Sequence, residues 1–285
     1  MNNNSFKDHL ENQLGKTVEI KSFKRVSGGD INDCYKIKSN KGFFFLKENI
    51  HDRFPTMFET EAKGLKILRE HSNFYIPNVL SYGNHENKSY LILEWIDFNS
   101  NGDWTLFGVN LALMHKQQAS QFGIDYSNYI GSLVQDNKEY DNWSEFYINQ
   151  RLIPFSKKAF DLGRLDQQDI NMLEKLTKEL PSIFPDEKPS LLHGDLWSGN
   201  VAFFNGQPSI YDPAIYYGNR EMDLAMSHLF GGFPSEMYQA YQDVYPLEKD
   251  WESRIEICQL YPLLVHVILF GGHYSMAVKR ILKRF

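Results

Sequence analysis

His193-Gly194-Asp195-Leu196-Trp197-Ser198-Gly199-Asn200 is the stretch that decides how this chain is read. It puts a carboxylate and a carboxamide five residues apart on one short loop. A carboxylate here can accept the proton of an attacking hydroxyl, which needs an acceptor within hydrogen-bond reach. A carboxamide oxygen suits a hard cation such as Mg²⁺. Twelve residues beyond Asn200, the run Ile210-Tyr211 ends in Asp212, followed by Pro213 and Ala214. That second carboxylate is placed to be a second metal ligand. His193, next to Gly194, reads as a buried histidine bracing the loop.

The spacing from Asp195 to Asn200 is that of the kinase catalytic loop, so the loop points to phosphoryl transfer. Composition permits this. The chain has 285 residues, 42% hydrophobic and 15% aromatic, enough for one large domain or two lobes with an aromatic-rich interior. Its net charge of −6 argues against general nucleic-acid binding, which needs a basic surface. ATP needs only a local cationic pocket. The two cysteines, Cys34 and Cys258, are far apart and form no metal-ligand spacing. They read as reduced thiols of a cytoplasmic protein. The first residues carry no apolar signal core. The longest apolar stretch, Leu260 to Phe270, is interrupted by Pro262 and His266. It is too short to span a bilayer and reads as a buried helix, so no membrane is expected.

Working outward, Ser5 to about Leu14 reads as a helix. Strands follow at Val18 to Val26, Asp33 to Lys38 and Phe43 to Glu48, joined by short turns as an antiparallel meander. Pro55 and Thr56 open a helix to about His71, with Glu59 as a capping partner. Two more strands lie near Val79 to Tyr82 and Tyr90 to Trp95. The polar run Asp97 to Asp103 reads as a linker. Beyond it, Trp104 to Gln118, Trp143 to Ala159, Gln167 to Leu180, Glu221 to Phe230 and the stretch from about Asp250 read as helices. Short strands at Val201 to Phe204 and Ser209 to Tyr211 sit among them. The predicted fold is α+β and two-lobed, like a protein kinase. Residues 1–96 form an N-lobe with a five-stranded antiparallel sheet and a helix, 97–103 a hinge, and 104–285 a mainly helical C-lobe.

Lys47 ends the third strand. Alone it is equally a solvated cation at a strand edge. The helix that follows shifts the balance. Phe58, Ala62, Leu65 and Leu68 share one face, and Glu61 projects between Leu65 and Leu68. A carboxylate on an apolar face needs a cationic partner, unless it reaches water at the stripe's edge. A Lys47–Glu61 pair would aim the lysine at the α- and β-phosphates of ATP. Gly28 and Gly29, between the first two strands, let backbone N–H groups approach phosphates, although Gly-Gly also makes ordinary hairpins. No Walker or dinucleotide-binding fingerprint is present. Ile92, Leu93, Glu94 and Ile96 lie where a kinase backbone would meet adenine; a plain buried strand is compatible with the same residues. Trp197 could wall an acceptor pocket by stacking on a sugar, or simply pack the loop.

Leu191 to Asn200, together with Tyr211-Asp212-Pro213-Ala214-Ile215-Tyr216-Tyr217-Gly218-Asn219-Arg220-Glu221-Met222-Asp223-Leu224-Ala225, resembles the fructosamine-3-kinase (ketosamine-3-kinase) family, in a bacterial form. Phe58 to Ala62, Asn128 to Ser132, Gln135-Asp136-Asn137 and Gln150-Arg151-Leu152 add to the likeness, which spans nearly the whole chain. The His-Gly-Asp…Asn…Asp frame is shared with aminoglycoside and choline kinases. Leu196-Trp197 and Tyr216 to Glu221 are more specific.

The resemblance implies an ATP- and Mg²⁺-dependent enzyme of protein-kinase-like fold that phosphorylates the 3-hydroxyl of ketosamines, free or on protein lysines, leading to deglycation. It implies Asp195 as base, Asn200 and Asp212 on Mg²⁺, Lys47 and Glu61 as the ion pair, Trp197 beside the sugar, and Asp223 as a structural residue. A cytoplasmic monomer is expected. The metal-binding segment is Asp-Pro-Ala rather than Asp-Phe-Gly, so no phenylalanine switch is expected. Asp30 follows Gly28-Gly29 where some relatives carry a cross-linking cysteine. The alternatives are another small-molecule kinase of this fold or a nucleotide-binding module without turnover. A Ser/Thr protein kinase fits worst, because no activation segment is recognisable between Asp212 and Glu221.

Overall fold

Helix α1 (Asn3–Leu14) precedes strands β1 (Ile20–Arg25), β2 (Asp33–Ser39) and β3 (Gly42–Ile50) in a computed structural model that describes residues 3–15, 17–26 and 31–285. Helix α2 (Met57–His71) follows, then β4 (Val79–His85) and β5 (Lys88–Glu94). The five strands form one antiparallel sheet in the order β1-β2-β3-β5-β4. Central β5 is buried from Ser89 through Leu93, whereas edge strand β4 alternates between exposed and half-buried residues. The two faces close differently. Leu10, Ile20, Ile37, Leu46, Tyr90 and Ile92 form a small cluster beneath α1. Leu91 and Leu93 point the other way and join Phe58, Ala62, Leu65 and Leu68 of α2 in the main core.

Thr56 stands at the N-cap of α2 but makes no side-chain cap. Glu59 instead takes a hydrogen bond from Lys63 one turn on, at 2.8 Å, so the capping pair read from the sequence does not form.

The main core continues into the second half. Backbone bonds from Tyr75 to Pro208 (2.9 Å) and from Asn99 to Phe203 (3.0 Å) tie the halves together. That half contains α3 (Trp104–His115), the hairpin β6 (Asn128–Ile130) and β7 (Leu133–Gln135), α4 (Trp143–Phe146), α5 (Ile153–Asp161) and α6 (Gln167–Ile183). Then come β8 (Ser190–Leu192), the hairpin β9 (Val201–Phe204) and β10 (Gln207–Ile210), and β11 (Tyr216–Gly218), which pairs back onto β8. Helices α7 (Glu221–Ser227), α8 (Ser235–Val244), α9 (Trp251–Phe270) and α10 (Tyr274–Leu282) complete it.

Two expectations change here. The helix expected over Trp143 to Ala159 is broken by a π-helical turn at Tyr147–Leu152. Pro154, at the start of α5, has no N–H to give back to the preceding turn. The apolar stretch near the C-terminus belongs to a longer helix, α9, which runs straight through Pro262. By length and composition α9 could cross a membrane, yet 67% of its apolar window is buried inside the protein. It packs on α5, α7 and α10, as a core helix does.

Helices α3 and α8 approach closest at Gly108. A Cβ added there would sit 2.1 Å from the Met237 carbonyl oxygen. Gly108→Ala is therefore expected to cost about 1–3 kcal/mol by forcing the helices apart. Chemical denaturation of the two proteins measures it; an unchanged midpoint would mean that the helices separate freely.

Candidate active site

Leu46 and Lys47 are adjacent on β3 and both buried, which strand geometry allows only if they serve opposite faces. Leu46 enters the cluster under α1. Lys47, 3% exposed, points under the sheet toward α2. Its ammonium donates to Glu61 Oε1 at 2.7 Å and to Asp212 Oδ1 at 2.5 Å. Burial opposes the charge, but the carboxylates of Asp212 and Glu61 outweigh it and hold the Lys47 pKa above its ordinary value. Cys34 faces Lys47 across the β2–β3 ladder. Burial pushes its thiol up to about 11, so almost no thiolate exists near neutral pH.

The loop after β8 is held from below. Asp223 on α7 is buried and accepts from the backbone N–H groups of His193 (2.7 Å) and Gly194 (2.9 Å). It also accepts from His115 Nε2 at 3.3 Å. Gly194 has φ +81°, and a Cβ there would meet the Ala214 carbonyl oxygen at 2.1 Å, so the position requires glycine. His193 is fully buried. Its Nε2 donates to the Tyr211 carbonyl (3.0 Å) and its Nδ1 accepts from the Asp195 N–H (3.3 Å). One donor and one acceptor define a neutral ring, and burial lowers its pKa accordingly.

Asn200 closes the loop. Its Nδ2 donates to the Asp195 backbone carbonyl (2.9 Å) and to Asp195 Oδ2 (3.0 Å). This points the carboxylate and leaves the carboxamide oxygen of Asn200 for a ligand. Burial raises the Asp195 pKa to about 7, opposed by the Asn200 bond and reinforced by Asp212 and Asp223.

Lys47, Glu61, Asp195, Trp197, Asn200 and Asp212 all line one cavity of about 500 Å³. Three carboxylates, a carboxamide oxygen and a buried ammonium converge there. Such a set can take a proton, bind a hard cation and neutralise phosphate oxygens. The far end of the cavity is aromatic. Trp197 meets Phe230 edge-on at 5.8 Å, and His266 and Tyr274 continue the wall.

Other expected residues stand elsewhere. Gly28 and Gly29 lie outside the described residues. Ile92 and Leu93 sit in a strand paired on both sides, so their backbone groups are spent on β3 and β4. The Glu94 N–H bonds to the Asn78 carbonyl, and its carboxylate accepts from Asn78 N at 2.8 Å. None of the three, nor Ile96, lines the cavity; Ile96 lies beyond the last ladder pair of β5. Residues that sequence reading passed over include Asn128, Tyr129, Phe230, His266 and Tyr274, all on the cavity wall. Asn128 and Tyr129 were noticed only as part of a resemblance; the aromatic residues of α9 and α10 carry an ordinary core pattern.

The family model for fructosamine kinase matches residues 2–285. The chain belongs to the fructosamine kinase family. Among its relatives is a probable ketoamine kinase of Enterococcus faecium, 42% identical over 91% of this chain and 94% of that protein. The chloroplastic protein-ribulosamine 3-kinase of Arabidopsis thaliana is 36% identical, over 94% and 83%. A crystal structure from Thermobifida fusca assigned as a fructosamine-3-kinase superposes with a TM-score of 0.88 at 33% identity, covering 99% of each chain. An aminoglycoside phosphotransferase in ternary complex with ADP and hygromycin B shares the fold alone, with a TM-score of 0.63 at 18% identity over 98% of each chain. The fold is thus the two-lobed, protein-kinase-like one.

In this member of the family the raised pKa of Asp195 has a stability consequence. An unfolded aspartate ionises near about 4. A carboxyl whose folded pKa is higher favours the folded state in its protonated form, and that contribution is lost as pH rises through about 7. Asparagine mimics the protonated form. Asp195→Asn is expected to melt at a higher temperature than the native protein at pH 8, with the gap closing toward pH 4. Melting curves across that range test it; a lower melting temperature at pH 8 would show that Asp195 is not strained as a carboxylate.

Proposed function

We propose that this protein uses Mg²⁺ and ATP to phosphorylate the 3-hydroxyl of ketosamines, the fructosamine and ribulosamine adducts of amines. The observation that carries the reading is the convergence of Asp195, Asn200, Asp212 and the Lys47–Glu61 pair on one cavity with an aromatic far wall. Family membership supports the same acceptor class.

Asp195 is the base. Its carboxylate accepts the proton of the 3-hydroxyl as that oxygen bonds to the γ-phosphorus and the bond to the β,γ-bridging oxygen breaks. Asn200 aims it through the 3.0 Å bond to Oδ2. Lys47 would neutralise the α- and β-phosphates, held in place by its 2.7 Å bond to Glu61. The free carboxamide oxygen of Asn200 and the carboxylate of Asp212 fit Mg²⁺, which takes hard oxygen ligands. When bound, the ion neutralises charge on the phosphate oxygens. Trp197 offers an indole face to the sugar C–H groups. Residues 97–103 serve as the hinge between an N-lobe of 1–96 and a C-lobe of 104–285, and the chain past Glu94, at Ile96, meets the adenine. The 3-phosphorylated adduct is unstable and releases the amine, so the outcome is deglycation.

Incubation with Mg-ATP and a ribulosamine or fructosamine is expected to consume ATP and yield a phosphorylated sugar. Turnover on an aminoglycoside or choline with none on any ketosamine would overturn the acceptor assignment. Asp195→Ala should lower kcat by about 10²–10⁴-fold, the usual worth of a positioned base, while nucleotide affinity by calorimetry stays close to native. Unchanged kcat would remove Asp195 from this role.

A further inference from the structure

Gln135, at the end of β7, is fully buried, and its amide is fully used. Nε2 donates to the Ala214 carbonyl (3.1 Å) and to Asn128 Oδ1 (2.7 Å), while Oε1 accepts from the Tyr261 hydroxyl (2.6 Å). Asn128 Nδ2 in turn donates to the Ile215 carbonyl at 2.8 Å. Asn137 donates to the same Asn128 oxygen at 3.0 Å and accepts from Arg151 at 2.6 Å. Asn137 and Arg151 are themselves fully buried. A polar network this deep is costly unless its members are satisfied, and apolar packing could fill the same space; of the groups named here, only Arg151 Nε lacks a partner. What the network grips is specific: the two carbonyls that follow Asp212-Pro213.

Asp212 has φ +56°, a left-handed conformation that L-residues rarely adopt and that its surroundings must hold in place. Upstream, the Tyr211 carbonyl is held by His193. Downstream, the Ala214 N–H bonds to the His193 carbonyl at 2.9 Å, and the Ala214 and Ile215 carbonyls are held by Gln135 and Asn128. The catalytic loop thus holds the backbone on both sides of Asp212, and a hairpin outside that loop adds a second hold downstream. β6 and α9, which supply Asn128 and Tyr261, also line the cavity through Tyr129, Ile130, Val265 and His266.

We propose that Gln135 is a positioning residue for the metal site: with Asn128 and Tyr261 it clamps the Asp212 segment in its left-handed turn, so that the metal ligand is preset and tied to the acceptor wall. The proposal rests on Asp212 holding Mg²⁺, as proposed above. Partners behind a metal ligand typically change metal affinity or activity by about 10- to 100-fold when removed.

Calorimetry of ADP binding with Mg²⁺ and with chelator gives the metal-dependent gain in affinity, and steady-state rates give the Mg²⁺ concentration for half-maximal turnover. Gln135→Met should shrink the gain and raise the Mg²⁺ requirement about 10- to 100-fold, with the ketosamine KM little changed. Gln259→Met is the control. It deletes a similar buried bond, to the Ala225 carbonyl at 2.9 Å, away from the clamp, and should lower Tm with a native Mg²⁺ requirement. Tyr261→Phe removes only the bond that orients Gln135 and should shift the requirement the same way by less. It decides the matter if Gln135→Met does not fold. A native Mg²⁺ requirement and native metal-dependent gain in these clamp variants, with only Tm lowered, would overturn the proposal. Asp212→Ala, which leaves no ligating oxygen at this position, separates the two layers. If it loses the metal-dependent gain while the clamp variants keep it, the clamp alone fails. If it keeps the gain, Asp212 is not a metal ligand and the reading beneath the clamp fails.

Discussion

Lys47 places one ammonium between carboxylates drawn from distant parts of the chain, Glu61 on α2 and Asp212 after β10. The sheet supplies the cation, the helix packed beneath it one anion, and the second half of the molecule the other. Lys47 and Glu61 can be buried because each meets the other, with the half-buried Asp212 as a second partner for the ammonium. Removing Lys47 or Glu61 leaves an uncompensated buried charge and typically costs about 3–5 kcal/mol. The same charges are the ones a nucleotide and its cation would engage. Cohesion between the halves and readiness for ligand therefore draw on one set of groups.

Around that set, the backbone is immobilised by groups that never touch the cavity's centre. Asp223 holds the loop at His193 and Gly194 from below. Pro213 lies against α2 where Gly64 leaves room; a Cβ at Gly64 would sit 3.4 Å from its Cγ. Proline restricts its own φ and gives no N–H to an alternative bonding pattern. A segment so restrained has little backbone freedom. The protein spends buried polar groups on a fixed geometry.

Much of this was legible along the chain. The strand–helix order is local, because short turns and strict hydrophobic periods leave few alternatives. Glu61 on an apolar stripe forecast a buried cation, and Asp195 with Asn200 forecast a shared loop, since five residues can hardly separate them. The errors have local causes too. Thr56 and Glu59 have capping-box spacing, yet Lys63 offers Glu59 a charged partner one turn on. Tyr147–Leu152 widens into a π turn because Pro154 follows, a consequence that periodicity does not register.

The sequence by itself determined which chemical groups are available and which are adjacent: a carboxylate and a carboxamide on one turn, a lysine ending a strand, a carboxylate on a helix face. Tertiary structure alone decided which distant groups meet. Lys47 and Asp212 are 165 residues apart, Gln135 and Tyr261 126, and the aromatic wall gathers Trp197, Phe230, His266 and Tyr274 from separate elements. Hydrophobic period and turn chemistry act over a few residues and set the elements. Pairing across the core depends on how those elements pack, and packing answers to shape and burial summed over the whole molecule, which no local pattern encodes.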